Sequence, residues 1–273
     1  VTCPRRPRAF ARPGNEGAWA ARNPARSVWT EVGGIRTHAL VMGAGPPLVL
    51  VPGLACAHFY FHELQTRLAG HFQVWAYDPP GHGYSRAPAG TFLTLESLAD
   101  HLAAWLRANG LRGVPLLGHS LGGDVLLHLA ARWPGGAGCL VLCAPGSRPG
   151  TPGAPGQLLR LVAEGRQVRA RFLVRLARSY LHAGPRRAWG LLTHLRQADP
   201  REVAPRVRAS VMILEGTADD IVRSRALRVM QDHLPRARLV RVPGATHALI
   251  DGQAGNVARL VRAFVRQTAA SRR

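Results

Sequence analysis

The chain of 273 residues reads as an α/β protein: a doubly wound, mostly parallel sheet with helices on both faces and a helical cap insertion. Three observations predict this. Short apolar runs bounded by turn residues recur along the chain, as buried strands do. Amphipathic stretches of helical period separate them, which is the alternation of a sheet covered by helices. One block, residues 146–208, breaks the alternation and carries helical patterns without a strand pattern.

Taken in order, Val28–Val32 predicts an antiparallel edge strand, with Gly33 and Gly34 as the hairpin turn into Thr37–Met42. Strands follow at Leu48–Val51, Val74–Tyr77, Val114–Leu117, Cys139–Cys143, Val211–Leu214 and Leu239–Val242. Most are near-continuous Val, Leu and Ile runs, as strands buried on both faces require. Helices are predicted over Tyr60–Ala69, Leu93–Asn109, Leu121–Arg132, Arg223–His233 and Gln253–Thr268. In the second of these Leu98, Leu102, Trp105 and Leu106 form the apolar stripe, and Gly110 stops it. In the insertion a Pro/Gly-rich linker, Pro149–Gly156, leads to a stripe of Val168, Phe172, Leu176 and Tyr180 flanked by Arg171, Arg175 and Arg178. The chain thus divides into a basic tail (1–27) expected to be disordered, a core (28–145 and 209–273) and the insertion (146–208). The insertion is read as a lid over a site, with an extra lobe as the other reading.

The formal net charge of +21 suggests nucleic acid at first sight. Every one of the 36 basic residues is arginine, however, and they are scattered rather than gathered in a block. With the abundant Ala, Gly and Pro, this reads as compositional bias, and no nucleic-acid partner is expected. No apolar run approaches the roughly 18 residues of a membrane span. Residues 1–27 lack the apolar centre of a signal peptide. Cys139 and Cys143, four apart on one strand, would stand roughly 13 Å apart, too far for a bridge. Neither C-x-x-C nor zinc-like spacing occurs. A reducing, cytoplasmic setting is expected, with no metal and no cofactor.

The chemistry centres on Gly118-His119-Ser120-Leu121-Gly122-Gly123, placed between a strand and an apolar helix. A G-x-S-x-G sequence in that context puts the serine on a strained turn. Gly118 and Gly122 keep the space around it clear, and Gly123 lets the helix approach the sheet. The helix start directs N–H groups at charge developing nearby. Here the chain resembles the α/β-hydrolase fold family, particularly its small capped esterase, lipase-like and C–C hydrolase members, from about Val28 to Val265.

The resemblance implies the order nucleophile, acid, histidine. The histidine then falls on His247, in the loop after Leu239–Val242, where it would exchange a proton with Ser120. The acid falls on Asp219, because Gly216, Asp219 and Val222 resemble the family's G-x-x-D-x-x-V; Asp220 is the competitor. An acid after Cys139–Cys143, as in some relatives, has no candidate, since Ala144-Pro145-Gly146 follows. Oxyanion donors are implied at the backbone N–H of Leu121 and of Leu54, in the loop Pro52-Gly53-Leu54-Ala55. The family's His-Gly pair is Pro52-Gly53 here, which puts the side-chain hydrogen bonding of that loop in doubt. Asp78-Pro79-Pro80-Gly81-His82-Gly83-Tyr84-Ser85 resembles a structural family turn, without a catalytic role for His82. His62, His101, His128, His182 and His194 are read as structural or surface residues.

A serine nucleophile sets aside the dehalogenase and epoxide hydrolase branches, which attack with aspartate. It points to acyl transfer on a small-molecule substrate: an ester, thioester, lactone, amide or vinylogous C–C bond. A pocket lined by the insertion, Leu54 and Leu121 would favour an apolar group.

Overall fold

The computed structural model describes residues 24–88, 90–146 and 169–271. Most of the tail, the Pro149–Gly156 linker, Val168 and Cys3 lie outside the described residues. Eight strands form one sheet: β1 (Arg26–Val32), β2 (Ile35–Met42), β3 (Pro47–Val51), β4 (Gln73–Tyr77), β5 (Leu116–His119), β6 (Cys139–Cys143), β7 (Ser210–Gly216) and β8 (Ala237–Val242). Their order is β1-β2-β4-β3-β5-β6-β7-β8. β1 pairs antiparallel with β2 through the Gly33-Gly34 turn, and β2 pairs antiparallel with β4. Every pairing from β4 through β3, β5, β6 and β7 to β8 is parallel.

Helices α1 (His62–Ala69), α2 (Leu95–Ala108) and α3 (Leu121–Arg132) link the first strands. Helices α4 (Ala170–Ala183) and α5 (Pro185–Gln197) lie between β6 and β7, followed by the short α6 (Pro200–Val203). Helix α7 (Ser224–His233) joins β7 to β8, and α8 (Leu249–Gly252) and α9 (Ala254–Ala270) close the chain. The central strands are buried, with Leu48, Leu50, Leu116, Leu117, Leu140 and Leu142 in the core. Helix α2 begins with a capping box in which Thr94 and Ser97 satisfy each other's backbone N–H. Cys56, Cys139 and Cys143 are buried.

Several element ends differ from the sequence reading by one or two residues, and two of these differences have a local cause. The strand expected over Val114–Leu117 lies two residues further on, because Pro115 has no N–H to give a ladder and the chain stays extended to His119. The helix expected from Tyr60 starts at His62, after a tight 3₁₀ turn over His58–Phe61. That turn is held by the His58 N–H, which donates to Asp78 Oδ1 at 2.7 Å. No helix among the described residues is long and apolar enough to cross a membrane.

The strand order reverses direction at β3. Its neighbours are β4 on one side and β5 on the other, and a topological switch of this kind marks a crevice at the carboxyl ends of the strands. In open α/β sheets ligands bind at such a switch point.

Candidate active site

Ser120 sits at that crevice, in the turn between β5 and α3. Its backbone is at φ 52 and ψ −126, a conformation that costs a non-glycine residue about 1–3 kcal/mol. The surrounding glycines make the turn possible. A Cβ on Gly118 would stand 2.4 Å from the Gly122 carbonyl oxygen, and one on Gly122 would stand 2.2 Å from that of Val51. Gly123 lies under Pro145, and a Cβ on it would stand only 3.0 Å from Pro145 Cβ, tighter than ordinary van der Waals contact. The Ser120 N–H donates to the Cys143 carbonyl at 2.9 Å, pinning the turn to β6.

The loop after β3 reaches the same point. A Cβ on Gly53 would lie 3.2 Å from Ser120 Cβ, so the loop packs directly on the serine. The loop closes by a Cys56 N–H to Gly53 carbonyl bond at 3.1 Å, with Ala55 at φ 54. Leu121 is buried and Leu54 half-buried.

His247 and Asp219 come together from loops after β8 and β7. Asp219 Oδ2 accepts from His247 Nδ1 at 3.0 Å. The other oxygen, Oδ1, accepts from the Ile221 and Val222 N–H groups, each at 2.8 Å. Burial alone would raise the Asp219 carboxyl, but His247 and the two amides outweigh it and hold it below its ordinary value. Asp220 is exposed. The carboxylate that accepts from His247 Nδ1 is that of Asp219, the residue the motif favours over its competitor Asp220.

Helix α5 brings an apolar side chain near the serine, and α4 packs on the 3₁₀ turn that carries Tyr60. A Cβ on Gly146 would lie 3.6 Å from Ser120 Oγ and 3.5 Å from Leu195 Cδ2, which places Leu195 of α5 near Ser120. From α4, the Phe172 ring stands 6.1 Å from the Tyr60 ring. Asp124 Oδ2 accepts from the Gly146 N–H at 2.8 Å and fixes the strand β6 exit.

Two groups escape a reading of spacing. His119, inside the G-x-S-x-G sequence, is buried and bonded at both ring nitrogens, to Tyr60 Oη at 3.0 Å and to the His247 carbonyl at 2.8 Å. The second group is a carboxylate with four donors. Asp78 accepts from His38 Nδ1 and His58 Nδ1 (both 2.8 Å), from the His58 N–H and from the Tyr84 N–H. Burial would raise this carboxyl, but the two histidines bring it to about 2. His38, His58 and Asp78 each place a metal-ligand type of atom within 4.8 Å of the others, and all three atoms are engaged with one another. His82 is buried and its pKa is lowered to about 4 by that burial; its Nδ1 meets the Pro80 carbonyl at 3.0 Å.

Sheet, elbow and crevice together define the α/β-hydrolase class. The family model described as alpha/beta hydrolase fold matches residues 46–182, and a model described as TAP-like protein matches residues 183–273. The chain belongs to the alpha/beta hydrolase fold family. It is 28% identical over 260 residues to a pimeloyl-[acyl-carrier protein] methyl ester esterase of Xanthomonas axonopodis pv. citri, covering 84% of this chain and 98% of that protein. It is 39% identical over 106 residues to a 2-hydroxy-6-oxo-2,4-heptadienoate hydrolase of Pseudomonas putida, covering 37% and 38% of the two chains. In structure it is similar to a thermophilic esterase from Thermogutta terrifontis, with TM-score 0.74 at 21% identity over 89% of this chain and 99% of that one.

Proposed function

We propose that the protein is a serine hydrolase that cleaves a small or medium apolar carboxylic ester, thioester or lactone through an acyl-enzyme. Ser120 is the nucleophile, His247 the general base and then acid, and Asp219 the group that orients the imidazole and stabilises its protonated form. The backbone N–H groups of Leu54 and Leu121 receive the charge that develops on the substrate oxygen.

The observation that carries this reading is the 3.0 Å bond from His247 Nδ1 to Asp219, beside a serine held at a strained strand-to-helix turn. That bond gives the proton to Nδ1 and leaves Nε2 as the base. The substrate class rests on the apolar surroundings, Leu195 and Phe172 from the inserted helices with Leu54 and Leu121 from the core, and on the esterase relatives. In this reading helices α4 and α5 are a cap over the acyl group.

A second reading has one specific support, the likeness to the heptadienoate hydrolase: the same serine would then attack a vinylogous ketone and break a C–C bond. A panel of p-nitrophenyl esters from acetate to long acyl chains, with a thioester, a lactone and a vinylogous diketone, separates the two. Ester cleavage by the wild type that vanishes in Ser120→Ala, with folding intact, is the expected result. Undiminished cleavage in Ser120→Ala would overturn the assignment of the nucleophile.

A further inference from the structure

Three buried hydrogen bonds form a line across the top of the sheet. The Gly53 N–H donates to Tyr60 Oη at 2.7 Å, Tyr60 Oη meets His119 Nδ1 at 3.0 Å, and His119 Nε2 meets the His247 carbonyl oxygen at 2.8 Å. The line starts in the loop after β3, crosses the residue before Ser120 at the end of β5, and ends on the backbone of His247 after β8. Tyr60 and His119 are both buried, and the His119 and His247 rings stand 4.9 Å apart.

The direction of every proton in the line follows from the carbonyl at one end and the neutral state of the buried His119. A carbonyl oxygen only accepts, so the Nε2 of His119 carries the hydrogen. Burial, with the His247 charge adding to it, pushes the His119 pKa down to about 3, so the ring is neutral and holds only that one N–H. Nδ1 is then a bare acceptor, and Tyr60 donates its hydroxyl to it. The phenol, kept protonated by burial, uses its oxygen to accept from Gly53. No second arrangement satisfies all three contacts.

We propose that His119 and Tyr60 are positioning residues that tie the oxyanion loop to the backbone of His247. The proposal rests on the serine-hydrolase reading above. Its chemical logic is that the two halves of the site come from separate strands and must agree to within a fraction of an ångström. Bonding the Gly53 N–H fixes the peptide that precedes the Leu54 amide. Bonding the His247 carbonyl fixes the main chain that carries the base. The relay also answers the departure at Pro52-Gly53: the anchor for this loop comes from Tyr60, in the 3₁₀ turn, rather than from a side chain within the loop.

Two variants cut the line at different places. Tyr60→Phe removes one oxygen and both of its bonds. His119→Gln puts an amide near the Nε2 position, which can still donate to the His247 carbonyl, but offers Tyr60 no ring acceptor. Rates on p-nitrophenyl butyrate are referred to active sites counted by fluorophosphonate titration, so loss of folded protein does not register as loss of rate. The expected result is a fall in kcat of about 10- to 100-fold in Tyr60→Phe and a smaller one in His119→Gln, with KM within threefold. Labelling of Ser120 slows in parallel. Values of kcat per titrated site within twofold of wild type in both variants, with Ser120→Ala inactive, would overturn the positioning role alone. Cleavage retained by Ser120→Ala would instead remove the reading on which it rests. A ¹⁵N-histidine spectrum gives a readout independent of activity. It should show one histidine locked with its proton on Nε2; a proton on Nδ1 of His119 would contradict the relay.

Discussion

The sheet core and the inserted helices are held in place by different forces. Strands β3, β5 and β6 are buried along nearly their whole length by apolar neighbours on both faces. In α4 only Phe172 and Ser179 are buried, while Val174 is 69% exposed and Leu181 84%, and Trp189 of α5 is 62% exposed. Phe172, Leu191 and Leu195 anchor these helices to the core, and a set of charged and polar side chains adds to that attachment. Arg178 donates to Tyr84 Oη at 2.7 Å and lies 4.0 Å from the centre of the Phe59 ring. Arg175 reaches Glu63 at 3.5 Å and Asp251 at 3.8 Å, Arg187 donates to the Thr91 carbonyl at 2.7 Å, and His182 meets the Gly83 carbonyl at 2.9 Å. Apolar burial is non-directional and is not weakened by charge screening, whereas these contacts are directional and screened. The core is thus suited to hold reacting groups still, and the proposed cap to shift over different acyl groups at small cost. Part of the chain's arginine excess is accounted for in this attachment.

The contrast can be broken most forcefully at the site that the core positions. Asp219→Asn keeps the shape but lets the imidazole take the wrong tautomer, and kcat for ester cleavage should fall by about 10⁴-fold. A change under tenfold would mean that the His247–Asp219 pair does not set the rate. Next in size is the core itself. Leu142→Ala should cost about 2–5 kcal/mol in urea unfolding, whereas Leu181→Ala on the exposed face of α4 should stay within about 0.5 kcal/mol. Equal losses would erase the distinction between the regions.

A pH series sharpens the core side. His119, His82 and His101 have folded pKa values lowered to about 3, 4 and 4, in each case chiefly by burial. The unfolded chain binds protons at these residues below its ordinary histidine pKa of about 6.5, and the folded chain does not. Stability is therefore greatest above that pH and falls as pH drops toward 4, by up to about 1.4 kcal/mol per pH unit for each group. Below about pH 4 the depressed carboxyls of Asp78 and Asp219 add to the loss in the same direction. The urea midpoint should fall between pH 7 and pH 5, and His82→Asn should flatten that slope; a pH-independent midpoint would contradict the burial of neutral imidazoles. Smallest of all, Arg178→Ala should change stability by about 1 kcal/mol or less while shifting KM severalfold for the longer acyl esters. A large loss of stability there would show the insertion to be part of the core.

The parts of the fold that were legible in the sequence are those with local signals. β6 and α3 have the ends that the Cys139–Cys143 and Leu121–Arg132 patterns give, and the Gly33-Gly34 hairpin lies where its turn chemistry places it. The shift of β5 comes from Pro115, which has no N–H to donate to the ladder although its carbonyl accepts from the Val49 N–H at 3.1 Å. The candidate site was legible only where motif spacing speaks: Ser120 from its glycines, and Asp219 with Asp220 and His247 from their strands. His119 and Tyr60 gave no such signal. Their partners lie 59 and 128 residues away, and nothing in a local pattern says that two buried side chains will share a hydrogen bond. The same holds for Asp78, whose donors His38 and His58 come from 40 and 20 residues upstream.

The central claim is that Ser120 is made nucleophilic by His247 and Asp219. The most direct test is labelling by a fluorophosphonate, followed by mass spectrometry of the intact protein and of its peptides. One label per chain is expected, located on Ser120, formed slowly in Asp219→Asn and not at all in His247→Ala. A label on another residue, or none on a folded wild-type protein, would contradict it.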